Sequence, residues 1–138
     1  MTLVFLDTNI LLRHLLQDHI EHSPKATGYL TKIERGEARV RISEIVIFET
    51  VFTLERTYKQ PKAKIRDILL PLIQLPGIKL PNKRRFKEIF KLYVELNLPF
   101  ADAYHAVLMK KLKLITIATF DKDFDRISGI KRLELSKF

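Results

Sequence analysis

Four short segments of this chain each set a carboxylate where an apolar run stops or a helix begins. They are Leu3-Val4-Phe5-Leu6-Asp7-Thr8-Asn9, Ser43-Glu44-Ile45-Val46-Ile47-Phe48-Glu49, Pro99-Phe100-Ala101-Asp102-Ala103-Tyr104-His105, and Leu114-Ile115-Thr116-Ile117-Ala118-Thr119-Phe120-Asp121. Acids in such surroundings are costly unless a cation or hydrogen-bond donors satisfy them. Four of them point to a metal site built from oxygen. Mg²⁺ and Mn²⁺ are the ions that suit carboxylates completed by waters and phosphate oxygens. Such an ion can polarise a phosphodiester, activate a water and steady the leaving oxygen.

Each acid also has a plain structural explanation. Asp7 at a strand end could be a turn residue or a helix cap. Glu49 could point to solvent or pair with a base such as Arg56, while Asp102 suits the first turn of any helix and Asp121 could be a cap. The four together, in this order, are what those explanations serve poorly. Asp7 is the strongest candidate ligand, because a helix N-terminus just after it supplies backbone donors and Thr8 or Asn9 can bond the carboxylate or a metal water.

Other constellations carry less. His14, His19 and His22 are spaced by five and three and share no clean helical face, which reads as solvated histidines. His105, one turn after Asp102, is within range of the site but suits a packed role. Four glycines form no phosphate-cradling loop, and four serines show no nucleophile elbow. The basic run Lys79 to Lys91 and the pair Lys110-Lys111 read as solvated helix faces that could also guide nucleic acid.

The elements that must position the acids follow from periodicity and punctuation. Residues 2–6 read as a buried parallel-type strand, with a helix at 8–18. Ser23-Pro24 reads as a cap and first helical position, with that helix stopping near Gly36. A short strand at 39–42 precedes a helix capped by Ser43 and ending near Tyr58. Pro61 opens another helix, in which Pro71 should force a kink or an early end. A strand at 78–80 leads to a helix capped by Asn82 and running to about 96, then a helix at 99–112. A strand at 114–118, a helical turn at 121–127 and an edge strand at 131–135 complete the chain. Strands alternating with helices over short connections mean an α/β fold with a mostly parallel sheet. In such sheets ligands collect outside the carboxyl ends of the strands, where Asp7 and Asp121 fall.

Length and composition agree. A chain of 138 residues with 46% hydrophobic content suits one domain over 1–138 and a core that needs no staples. The absence of cysteine excludes disulfides, thiolate zinc sites and cysteine nucleophiles. Asp7 cuts the first apolar run far short of a signal sequence, and no run approaches a membrane span, so the expected setting is cytoplasmic with no membrane partner. The net charge of +9, from 25 basic and 16 acidic side chains, favours a polyanionic partner. Acids gathered in one site would leave the rest of the surface more basic still, a layout that suits a nuclease.

At these residues the sequence resembles PIN-domain ribonucleases, most of all the VapC toxins of bacterial and archaeal toxin–antitoxin pairs. The motifs are Leu6-Asp7-Thr8-Asn9, the Glu49 helix with Leu54-Glu55-Arg56-Thr57-Tyr58, Ala101-Asp102-Ala103, and Thr119-Phe120-Asp121-Lys122-Asp123-Phe124. The resemblance implies a three-layer α/β/α sandwich around a mostly parallel five-stranded sheet, a groove holding Mg²⁺ or Mn²⁺, and endonucleolytic cleavage of RNA by an activated water. It carries the acidic quartet onto Asp7, Glu49, Asp102 and Asp121 as catalytic and metal-binding residues, with Thr8, Asn9 and Thr119 in support. Asp123 and Asp125 are further acids of the last motif, for which solvent exposure is the simpler expectation. The family also implies a homodimer neutralised by an antitoxin protein. The competing readings are a nucleic-acid-binding PIN-like module without catalysis and a PIN nuclease of RNA processing with no antitoxin.

Overall fold

Leu3–Phe5, Arg39–Arg41 and Ile78–Lys79 form three parallel strands, β1, β2 and β3, hydrogen-bonded in the order β1-β2-β3. The register sets Val4 opposite Val40 and Val40 opposite Ile78, so the central strand buries its valine completely while Arg39 and Arg41 face outward. This is the period-two alternation of a strand with one face inside. The computed structural model describes residues 1–138, Lys137 through its backbone only. The chain divides into two compact units, Met1–Arg84 and Arg85–Phe138.

In the first unit the sheet is joined by α1 (Thr8–Leu16), α2 (His22–Glu34), α3 (Glu44–Phe52) and α4 (Lys62–Ile73). Their inward stripes supply Leu11, Leu30, Ile33, Ile47, Val51, Ile65, Leu69 and Ile73, all essentially inaccessible to solvent. Burial at that level is worth roughly 1.5–3 kcal/mol per side chain before entropy is counted. Ser43 caps α3 as its position predicts, its hydroxyl oxygen accepting the Val46 amide at 3.3 Å. Beyond Phe52 the helix widens into a π-helical segment, Thr53–Thr57, and stops at Tyr58. Pro71 lies in the last turn of α4, which ends two residues later at Ile73, in keeping with the i→i−4 amide bond that proline removes. Gly77 precedes β3 because nothing larger fits: a Cβ there would meet the Ile33 side chain at 2.8 Å and the carbonyl oxygens of Ile33 and Ala38 at 3.0 and 3.2 Å.

The second unit holds α5 (Phe86–Glu95), α6 (Phe100–Leu112), β4 (Thr116–Ile117), a 3-10 turn at Lys122–Arg126, β5 (Lys131–Arg132) and a last 3-10 turn at Leu135–Lys137. Phe90, Tyr93 and Phe100 form its centre, with ring centroids 5.0 to 6.2 Å apart in tilted and edge-on geometry. Such pairs add about 0.5–1.5 kcal/mol each beyond their buried area. The cluster locks the start of α6 against α5, and Asp102 sits in that first turn. β4 and β5 pair in parallel.

All strand pairings are parallel, as the alternation of strands and helices predicts, and the five strands fall into a three-stranded and a two-stranded ladder. Three boundaries differ from the sequence reading. Ser23 lies inside α2, which starts at His22, and its hydroxyl oxygen accepts the His19 amide at 3.1 Å. Asn82 adopts a left-handed conformation with φ 58° and leads into a 3-10 turn, Lys83–Arg85, so it turns the chain without capping α5. β5 ends at Arg132, because Glu134 already begins the final 3-10 turn by accepting the Ser136 amide.

Candidate metal centre

In the second unit, α6 and the loop after β4 bring three acids together. One carboxylate oxygen from each of Asp102, Asp121 and Asp123 lies within 4.8 Å of the others. Asp102 reaches the group from the first turn of α6. Asp121 is held from both sides along the chain: its amide donates to Thr119 Oγ1 at 3.0 Å, and its Oδ1 accepts the Asp123 amide at 2.8 Å. Thr119 thus shapes the turn that carries Asp121. The Asp121 carboxylate also caps the following 3-10 turn, so its structural explanation holds alongside any chemical one.

The electrostatics of the group follow from this geometry. Burial, a hydrogen bond shared with Asp121 and the charges of Asp121 and Asp123 raise the Asp102 carboxyl to about 6. The Asp123 amide, and then the bond shared with Asp102, hold Asp121 below the usual carboxylate range. Asp102 Oδ2 is buried and has no donor in reach. A buried carboxylate oxygen without a donor is a costly arrangement that a cation would relieve.

In the first unit, Asp7 stands at the N-cap position of α1 in extended conformation, yet its side chain makes no capping bond. Its carboxylate is exposed and not spent on the helix. Thr8 is buried, and its hydroxyl donates to Glu49 Oε1 at 3.4 Å across α1 and α3. Glu49 itself is exposed on α3, while Val46, Ile47, Thr50 and Val51 take the inward face. Arg56 does not pair with it; the guanidinium lies over the Phe52 ring, 5.7 Å from its centroid. Asn9 is exposed in the first turn of α1.

A PIN domain family model matches residues 4–130, a span that takes in all four acidic motifs. The chain belongs to the PIN domain family. A protein from Aquifex aeolicus (strain VF5) described as "VapC ribonuclease" is 24% identical over 122 residues, covering 88% of this chain and 90% of that relative. Whether this PIN domain suits a divalent ion is a matter of donors. The second-unit group offers oxygen alone, the charges of Asp121 and Asp123 bear on Asp102, and one of its oxygens lacks a partner. Hard oxygen donors of this kind fit Mg²⁺ or Mn²⁺ and suit neither zinc nor copper in the ways nitrogen and sulfur would.

Sequence reasoning placed Asp123 at the margin of this PIN domain's site, and the structure puts it inside the acid group. The signal was the two-residue step from Asp121, which a tight turn folds back onto itself. Asp125 is elsewhere: Arg132 grips both of its oxygens, at 2.8 and 3.0 Å, and holds its carboxyl below the usual range. His105 is exposed, edge-on to the Tyr104 ring, and does not join the acids. His14 is half-buried and bonded to Thr27 at 2.9 Å, and His19 and His22 stack with ring centroids 4.0 Å apart. Those three histidines form no cluster, since each ring is engaged locally. Among the described residues no helix is long and apolar enough to cross a membrane.

Proposed function

We propose that this PIN domain is a divalent-metal-dependent endoribonuclease that works as one domain over residues 1–138. The observation that carries the reading is the group of three carboxylates with an orphaned oxygen on Asp102, in a chain whose family match runs through all four acidic motifs. Asp102, Asp121 and Asp123 would hold Mg²⁺ or Mn²⁺, and Asp7 and Glu49 are further acids for catalysis and metal binding. The bound ion supplies Lewis-acid polarisation of the phosphodiester and activation of the attacking water.

The chain's own residues do the rest. Burial and the neighbouring acids raise the Asp102 carboxyl to about 6, so near neutral pH it is largely ionised and available to a cation. Thr119 and the Asp123 amide fix the Asp121 oxygen in place. Thr8 orients Glu49. Asp7 stays available because α1 starts without its help. The +9 net charge draws the RNA backbone to the protein surface.

The finer reading is that the protein is the toxin of a toxin–antitoxin pair, a cytoplasmic homodimer neutralised by a small partner protein. It is supported by the likeness to the Aquifex aeolicus protein along nearly the full length of both chains. A cleavage assay on single-stranded and structured RNA tests the activity. Cleavage with Mg²⁺ or Mn²⁺ that stops in excess EDTA is expected, and undiminished cleavage in EDTA would overturn it. Co-purification from the native operon tests the pairing, and recovery of free, active enzyme alone would count against an antitoxin.

A further inference from the structure

The three clustered acids come from two stretches of chain, and the link that the acids themselves make between those stretches is the hydrogen bond shared by Asp102 and Asp121. Asp102 arrives on α6, while Asp121 and Asp123 arrive on the loop after β4. With one oxygen of each within 4.8 Å of the others, their like charges repel. One side chain spans both stretches. The Arg126 guanidinium donates through Nη1 to the carbonyl oxygen of Leu96, at the end of α5 and just before α6. Through Nη2 it donates to Asp123 Oδ1 at 3.2 Å.

We propose that Arg126 is a positioning residue for the acid cluster, tying the α5–α6 connection to the Asp121–Asp123 turn and so setting the spacing at which the three carboxylates meet a divalent ion. The inference rests on the metal-site reading above and adds to it a residue outside the acids. Arg126 and Asp123 are both about half exposed, and an ion pair so open to water contributes little to stability. Its two-ended geometry is the informative part. One end is a backbone carbonyl, which carries no charge to neutralise, so the bond specifies position. The planar fork of arginine holds two acceptors in a fixed geometry, which the rotatable ammonium of lysine does not impose. Groups behind the ligands of a metal site commonly act in this way, orienting the ligands without touching the ion.

The two roles open to Arg126 predict opposite signs. As a nearby cation and nothing more, it would repel a divalent ion, and its removal would tighten metal binding. As a positioning residue, its removal loosens the cluster and weakens binding. Calorimetric titration with Mn²⁺ of the full chain and of Arg126→Ala, Arg126→Lys and Asp123→Asn reads this directly, without RNA. We expect Arg126→Ala to bind Mn²⁺ about tenfold or more weakly, with Arg126→Lys also weakened although its charge is kept, and with thermal midpoints close to the parent in EDTA. Mn²⁺ binding by Arg126→Ala that equals or exceeds the parent overturns the inference and leaves the metal-site reading standing. No Mn²⁺ binding by the parent overturns that reading itself. If Arg126→Ala fails to fold, Arg126→Lys decides: affinity equal to the parent shows that charge alone matters and refutes positioning.

Discussion

Asp102 and Asp121 share a hydrogen bond yet are driven in opposite directions, the first raised to about 6 and the second lowered. The difference lies in their surroundings. Asp121 receives the Asp123 amide, which favours its charged form. Asp102 is partly buried, and its Oδ2 has no donor, so its neutral form is favoured. Below about pH 6 a proton at Asp102 therefore offsets the neighbouring charges as a cation would.

That proton makes metal-free stability depend on pH with a definite sign. A carboxyl raised in the folded state stabilises fully below its unfolded value of 3.8 and loses that contribution as pH rises through about 6. Asp121, Asp125 and Glu134 are lowered, so their contributions are present above their unfolded values and vanish only in stronger acid. In EDTA, the Asp102 contribution should make the parent lose stability between about pH 4 and about pH 6. Asp102→Asn should flatten that loss. Paired thermal melts check it, and identical pH trends in parent and mutant would refute the assignment.

Asp7 and Ser43 occupy the same position at the starts of α1 and α3, but only Ser43 caps with its side chain. Ser43→Ala should therefore cost about 1 kcal/mol of stability while leaving RNA cleavage intact. Asp7→Asn should change stability by less than about 0.5 kcal/mol, as exposed substitutions do, and reduce cleavage by orders of magnitude. Urea denaturation beside the cleavage assay separates the two. Loss of stability in Asp7→Asn with activity preserved would return Asp7 to a merely structural role.

Gly77 offers a test of the frame beneath the site. Its missing Cβ leaves room for the Ile33 and Ala38 carbonyls, and its own carbonyl oxygen accepts the Val40 amide at 2.9 Å beside β2. Gly77→Ala must shift backbone or the Ile33 side chain, and a cost of about 1–3 kcal/mol is expected. Chemical denaturation measures it. A stability equal to the parent would show that the turn yields freely.

How much was legible in the sequence depended on whether the controlling interaction was local. The Ser43 cap, the helix opening after Pro99 and the parallel character of the strands all follow from neighbours along the chain, and the structure has them. Ser23 and Asn82 also looked like caps by type. Ser23 instead bonds the His19 amide across a turn, and Asn82 takes a left-handed conformation, outcomes set by where the chain must go next. The same limit applied at the site. Asp102 and Asp121 stood out because apolar runs lead to them. Asp123 and Arg126 did not, since their roles depend on Leu96 and α6, which are distant in sequence and near in space.

The central claim is that Asp102, Asp121 and Asp123 form a metal-dependent centre for RNA cleavage, and a mutant cycle tests it most directly. Single-turnover cleavage in Mn²⁺ would be measured for the parent, for Asp102→Asn, for Asp121→Asn and for the double variant. Residues that act as one unit are strongly non-additive. Each single change should then cost orders of magnitude, and the double variant should lose little more than either one. Cleavage that persists at the parent rate in either single variant, or losses that multiply in the double one, would contradict a shared centre.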